Sequence, residues 1–120
     1  KIGKKVILSG FTAVNQFCNV GDFAFVAGGA KVRKDIPPFV KVGRDPIAFV
    51  GINSVGLRRN GYKDSQINNI QDIYRIIFQK KLNTAQALEI LEKDIEISLE
   101  KSEVIDFIKK SNRGIIKGYF

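Results

Sequence analysis

VNQFCNVGDFAFVAGGAKV, residues 14–32, returns an aliphatic side chain at Val14, Val20, Val26 and Val32, always six positions apart. A helix repeats its apolar face every third or fourth residue and a strand every second, so neither alone explains a period of six. Extended in both directions, the series reads Ile2, Leu8, Val14, Val20, Val26 and Val32. Four positions after each stand Val6, Thr12, Cys18, Ala24, Ala30 and Ile36, mostly small side chains. A hexapeptide repeat of this kind is the signature of a parallel β-helix. Each unit is one short strand and one turn, three units close a triangular coil, and the aliphatic residue points inward to stack on its counterpart three units along. Asp35-Ile36-Pro37-Pro38 ends the frame, because two prolines remove consecutive backbone donors.

Beyond the repeat the punctuation changes. Residues 37–62, PPFVKVGRDPIAFVGINSVGLRRNGY, read as a connector rich in Pro and Gly yet too apolar to be a free linker. Phe39, Val40, Ile47, Phe49, Val50 and Ile52 are expected to pack against the prism. From Lys63 the period becomes helical: Ile67, Ile70, Ile73/Tyr74 and Ile77/Phe78 form one stripe. Asn83 followed by Gln86 predicts a capped second helix carrying Ala87, Leu88, Leu91 and Ile95. Ser102 is expected to cap a third, with Val104, Ile105 and Ile108 on its buried side and Gly114 at its end. The division expected is therefore 1–36 as β-helical coils, 37–62 as connector, and 63–120 as an α-helical C-terminal domain of about three helices.

Composition narrows the function. The formal charge is +8, and it is concentrated: residues 1–60 hold ten Lys/Arg against three Asp/Glu, residues 61–120 ten against nine. The excess on the repeat and connector predicts an acidic partner there. Scattered basic residues, the absence of Trp and the lack of a nucleic-acid motif argue against DNA or RNA. Phosphorylated small molecules or an acidic carrier protein fit better. No run approaches a membrane span and no signal peptide opens the chain, so the expectation is a soluble, cytoplasmic protein. The single Cys18 falls on a small-residue slot and reads as packing. Residues 1–36 make only two coils, fewer than a solenoid needs, and Lys1 opens in mid-pattern, which predicts further coils before it.

TAVNQFCNVGDFAFVAGGAKVRKDIPPFVKVGR followed by GINSVGLRRNGY resembles the C-terminal half of the bacterial UDP-N-acetylglucosamine O-acyltransferases, the first enzymes of lipid A biosynthesis. The likeness is specific from Lys1 to Tyr62 and looser to the closing SNRGIIKG, residues 111–118. It implies a left-handed parallel β-helix in a homotrimer, with sites between neighbouring subunits and an α-helical C-terminal domain beside them. It implies transfer of a 3-hydroxyacyl group from acyl carrier protein to the glucosamine 3-hydroxyl of UDP-N-acetylglucosamine, without metal or cofactor. The family's general base is a histidine. This chain has none, so the resemblance places that base N-terminal to Lys1 and leaves these residues without a catalytic one. Asp22 and Asp35, the carboxylates of the repeat, are weak bases at an ordinary pKa near 3.9.

By resemblance, Gln16, in a motif usually reading AVHQF, lies near the sugar nucleotide, or else is a hydrogen-bonded corner amide. Asn15 stands where the family commonly has histidine and retains only an amide donor. Asn53 and Arg59 match nucleotide contacts, and a guanidinium suits a diphosphate because its planar fork gives paired charge-assisted bonds. Arg58 is the weaker candidate, since adjacent arginines rarely face one ligand. Val55 replaces an acid found in some members. Gly28 matches the position that limits acyl length in the acyl-chain pocket; with Gly29 beside it, one glycine can serve the pocket and the other the corner. Lys80-Lys81 and Lys109-Lys110 read as solvated helix ends, with carrier docking as the alternative. Two other readings stay open: a β-helix acyltransferase acting on a related amino-sugar nucleotide, and a non-catalytic β-helical binding or assembly module.

Overall fold

The structure, a computed structural model, describes residues 1–44, 46–78 and 82–118. Parallel pairing dominates its first part. Strand β1 (Ile7–Leu8) pairs with β3 (Phe25–Val26) and β2 (Ala13–Val14) with β4 (Lys31–Val32), while an isolated bridge joins Ile2 to Val20. The partners Leu8↔Val26 and Val14↔Val32 are members of the six-residue series, so that series stacks on itself one coil apart. Burial rises along it. Ile2 and Leu8 are exposed, Val14 is half-buried, and Val20, Val26 and Val32 are buried.

The frame does not end at Ile36; it shortens. Val20 pairs with Ile36, and β3 pairs in parallel with β5 (Val40–Gly43) in the register Phe25↔Lys41 and Val26↔Val42. Ile36 thus takes the inward aliphatic place rather than the small-residue place, and it is fully buried. The step from Val32 to Ile36 is shorter by two residues, so the prolines occupy a contracted corner and the pairing resumes beyond them. Residues 37–43, expected in the connector, build a third layer. Strand β6 (Ala48–Ile52) then folds back antiparallel on β5 and closes the sheet in the order β1-β3-β5-β6.

The corners have a backbone signature. Lys5, Phe11, Phe17 and Phe23 all have φ between 56° and 68°, Gly29 continues the six-residue spacing at 77°, and Phe39 has 73°. A left-handed conformation costs an L residue about 1–2 kcal/mol, so packing must offset it. At one corner it does: Phe23 stacks on Phe39 with ring centroids 6.1 Å apart, and Tyr62 meets Phe23 edge-on at 5.3 Å. Phe11 and Phe17, at other corners, are exposed.

Four helices follow: α1 (Ser54–Arg59), α2 (Asp64–Ile77), α3 (Thr84–Asp94) and α4 (Leu99–Lys110). The isoleucine stripe of α2 is buried as its period requires, and its Tyr74 donates its hydroxyl to the Pro38 carbonyl at 2.5 Å. Phe49 stacks on Phe78 at 4.3 Å and on Tyr74, so it packs on α2 rather than on the prism, while Val50 is exposed. Asn83 and Gln86 form the reciprocal cap of α3. The third of the expected helices starts earlier than predicted. Ser98 accepts from the Lys101 N–H and caps α4, whereas Ser102 lies inside the helix and is exposed. This helix ends at Lys110, four residues before Gly114, whose φ of 82° turns the chain back. Helix α1, inside the stretch read as connector, has a sequence signal that was missed: Asn53 three residues before Gly56, whose N–H its side chain accepts.

Residues 111–118 return to the coils. Asp35 pairs with Ile115 and Phe49 with Gly118 in parallel bridges, and Ser111 donates to Asp35 Oδ2 at 2.6 Å. Asp35 Oδ1 accepts from the Asn19 N–H, so both oxygens of this buried carboxylate are engaged. Lys109 pairs with Glu92 across α4 and α3; Lys80 and Lys81 lie outside the described residues. Among the described residues no helix is long and apolar enough to cross a membrane.

Candidate functional site

Stacked coils place equivalent residues in columns, and one column faces outward: Ile7, Phe25 and Lys41 are cross-strand partners on β1, β3 and β5. The Lys41 ammonium lies 5.8 Å from the centroid of the Phe25 ring, within cation–π range. With Ile52, Asn53 and Arg59 this column lines an open cleft of about 250 Å³. Two cations therefore stand over an apolar floor, an arrangement that fits an anionic ligand with a flat or apolar part. Lys41 was not singled out from the sequence, because the two-residue contraction hides its place in the column.

Asn53 is buried and built into the fold. Its Nδ2 donates to the Phe23 carbonyl at 2.9 Å, and its Oδ1 accepts from the Gly56 N–H at 3.2 Å as the cap of α1. A Cβ at Gly56 would stand 2.5 Å from Asn53 Nδ2, so only glycine lets the amide lie flat over this turn. Asn53 thus ties the start of α1 to the coil corner and sets where Arg59, six residues on, meets the cleft. Arg59 is exposed there, while Arg58 points to Asp64 with Nε 3.3 Å from Oδ1. Val55 is exposed at the cleft wall.

The other candidates lie elsewhere on the coils. Asn15 and Gln16 follow β2; the Asn15 N–H donates to Val32, and the Gln16 carbonyl accepts from Arg113 Nη2 at 2.9 Å. Gly28 sits at the corner between β3 and β4 with ordinary φ, and a Cβ there would stand 3.2 Å from the Gly10 carbonyl oxygen. Gly29 is the residue with the left-handed φ, and its Cβ would meet nothing within 4 Å. Backbone geometry favours glycine at 29, although Lys5, Phe11, Phe17 and Phe23 hold the equivalent corners at a cost; at 28 the limit is space beside the neighbouring coil. A single chain therefore gathers Asn53 and Arg59 in one cleft but leaves Gln16, Asn15 and Gly28 on different sides of the coil.

A further depression of about 350 Å³ separates the coils from α4, with Asp22, Asp35, Glu103 and Asp106 among its walls. Burial raises the Glu103 carboxyl above its usual range, and the neighbouring Asp22 adds to the shift; Lys4 opposes it. Burial likewise raises the Cys18 thiol, which keeps it protonated and inert as a packing group. Among the described residues no group of three or more His, Cys, Asp or Glu side chains is arranged to hold a metal ion.

Residues 35–116 match the family described as UDP-N-acetylglucosamine O-acyltransferase, domain 2. The chain belongs to that family. It is 39% identical over 112 residues to the acyl-[acyl-carrier-protein]--UDP-N-acetylglucosamine O-acyltransferase of Myxococcus xanthus, covering 93% of this chain and 43% of the relative. The enzyme of the same name from Halorhodospira halophila is 38% identical, with 87% and 40% covered. Among solved structures, the UDP-N-acetylglucosamine acyltransferase of Bacteroides fragilis superposes with a TM-score of 0.94 at 45% identity, over 97% of this chain and 46% of that one. The Francisella novicida enzyme superposes at 0.87 with 33% identity, over 98% and 44%. The chain thus spans a little under half the length of these family members.

Proposed function

We propose that this chain is the C-terminal part of an enzyme that transfers a 3-hydroxyacyl group from acyl carrier protein to the 3-hydroxyl of UDP-N-acetylglucosamine. The observation that carries the reading is the cleft in which Arg59 and Lys41 stand over Ile7 and Phe25, in a chain of this family. Two cations suit the diphosphate, the guanidinium through bidentate bonds, and the apolar floor suits the face of a ring. In the transfer, the sugar hydroxyl oxygen attacks the thioester carbonyl, the carrier thiol leaves, and a base takes the hydroxyl proton. The chain holds no histidine for that last role; its residues bind and orient.

Further features of the proposal are a left-handed winding of the coils, a helical domain over residues 63–120, a homotrimer and a cytoplasmic setting. The 18-residue parallel register and the six-residue recurrence of left-handed corners support the β-helical part. A homotrimer is supported by the scatter of Gln16, Asn15 and Gly28 away from the Arg59 cleft, since only a neighbouring copy brings different faces of the coil together. Gly28 lines the acyl groove in this reading, Gln16 and Asn15 approach the sugar nucleotide, and Arg58, paired with Asp64, contributes least.

Titration of UDP-N-acetylglucosamine into the chain by calorimetry tests the reading, with Arg59→Ala as the probe. Loss of a charged hydrogen bond of about 1.5–3 kcal/mol weakens binding at least about tenfold. Equal affinity in the variant removes Arg59 from the site, and absence of binding by the parent chain removes the substrate.

A further inference from the structure

At each coil corner the carbonyl just before the left-handed residue needs a donor, and one corner finds it outside the coils. At three corners the donor is the N–H of a left-handed residue one coil on: Phe23 donates to the Lys4 carbonyl, Gly29 to Gly10 and Phe39 to Asp22, each at 2.9 Å. The corresponding donor for Gln16 is lost to the contraction after Val32, which brings Ile36 into pairing with Val20. Among the described residues none between Gly29 and Phe39 has a left-handed φ, and the Asp35 N–H at this layer donates to the Gly114 carbonyl at 3.0 Å instead. Arg113 fills the gap from 97 residues along the chain, its Nη2 donating to the Gln16 carbonyl at 2.9 Å. The segment that carries it is itself held, because Ser111 donates to Asp35 Oδ2, the Ile116 N–H donates to the Asp35 carbonyl, and Asp35 Oδ1 accepts from the Asn19 N–H just beyond the corner.

The carbonyl that Arg113 grips decides the turn type. Cys18 donates its N–H to the Asn15 carbonyl at 3.1 Å, so Asn15–Cys18 is a β-turn with Gln16 and Phe17 at its centre. Phe17 has a φ of 68° and Gln16 has no positive φ, which makes the turn type II. Type I would spare Phe17 the left-handed region; it differs by a rotation of the Gln16–Phe17 peptide, with ψ of Gln16 moving from about 120° to about −30°. Ring stacking opposes such a flip at Phe23, but Phe17 is exposed and has no ring partner among the described residues. We infer that Arg113 is a positioning residue for the sugar-nucleotide site: it holds the Gln16–Phe17 peptide in the type II orientation and so fixes the direction in which Gln16 presents its amide to the ligand. The Gln16 side chain is exposed and makes no hydrogen bond among the described residues, so it is open to a ligand rather than committed to the corner. The inference rests on the reading that Gln16 approaches the sugar nucleotide, and its rival is a direct contact between Arg113 and the ligand.

The test is a double-mutant cycle of Arg113→Ala and Gln16→Ala in the complete enzyme, with kcat and the KM for each substrate measured. Arg113→Ala is expected to raise the KM for UDP-N-acetylglucosamine about three- to tenfold, to leave the KM for the acyl carrier within about twofold, and to have no further effect once Gln16 is alanine. Arg113→Lys keeps a cationic donor and should return the sugar-nucleotide KM to within about twofold of the parent. Should the alanine variant fail to fold, Arg113→Gln takes its place in the cycle, with a smaller rise and the same dependence on Gln16. An unchanged sugar-nucleotide KM, or a rise of equal size with and without the Gln16 side chain, overturns the inference while leaving the reaction standing. A parent enzyme that does not acylate UDP-N-acetylglucosamine removes the acyl-transfer reading and the inference with it.

Discussion

Asn53→Ala separates architecture from ligand contact in the candidate site. The family likeness implies a nucleotide contact at Asn53, but the buried amide already donates to the Phe23 carbonyl and caps α1. Removing the cap costs about 1 kcal/mol, and leaving a buried carbonyl without its donor costs about 1–3 kcal/mol. The two share one side chain and do not add strictly, so the expected loss is about 2–4 kcal/mol. With a urea m value of about 1–3 kcal/mol per molar, the unfolding midpoint falls by about 0.7–4 M. Asn53→Ser keeps a cap acceptor and should recover about 1 kcal/mol. Asn53→Asp also keeps the acceptor but turns a carboxylate oxygen toward the Phe23 carbonyl, and should be no better than alanine. Urea titrations followed by circular dichroism give all three midpoints. An alanine variant with the parent's midpoint, or an aspartate variant as stable as the parent, would refute the reasoning and return Asn53 to a purely ligand-binding role.

Glu103→Gln should stabilise the chain at pH 7 and leave it nearly unchanged near pH 4. A raised carboxyl contributes stability below its unfolded value near 4.5 and loses it as the pH rises through the folded value, whereas glutamine stays neutral throughout. Thermal melts across that range check it, and a difference that grows toward low pH would have the wrong sign. Gly29→Ala should cost about 1–2 kcal/mol through its φ of 77°, and Gly28→Ala less, because only the Gly10 carbonyl must give; paired urea midpoints in the reverse order sink this assignment. Under the acyl-transfer reading, Gly28→Met in the complete enzyme should shift selectivity toward shorter acyl chains, read from product lengths in a competition between acyl carriers.

Much of the fold is legible because the hexapeptide series is a packing rule: one inward aliphatic residue per side of the coil. The contraction after Val32 was not legible, since a two-residue deletion looks like the end of a repeat until Ile36 is seen paired with Val20. The same deletion hid Lys41, which enters the cleft only through its register with Phe25. The left-handed corners were not legible, because phenylalanine is an unlikely residue for φ near 60°, and at Phe23 the strain is offset by stacking that only the structure reveals. Ser102 reads as the cap in the sequence, and exposed Leu99 obscures that the apolar stripe of α4 begins earlier, after Ser98.

The site and the fold share a hinge at one corner. Phe23 holds a left-handed φ, stacks on Phe39, meets Tyr62 edge-on, and offers its carbonyl to Asn53. Asn53 then starts the six-residue helix that bears Arg59. A helix this short has little stability of its own, so its direction is set by that cap and by buried Leu57. The arginine is thereby placed relative to Ile7, Phe25 and Lys41 by coil stacking rather than by contacts of its own side chain. Substitutions at Phe23 or Gly56 should therefore weaken an anionic ligand's hold on Arg59 without touching the ligand, and do so in proportion to the stability they remove.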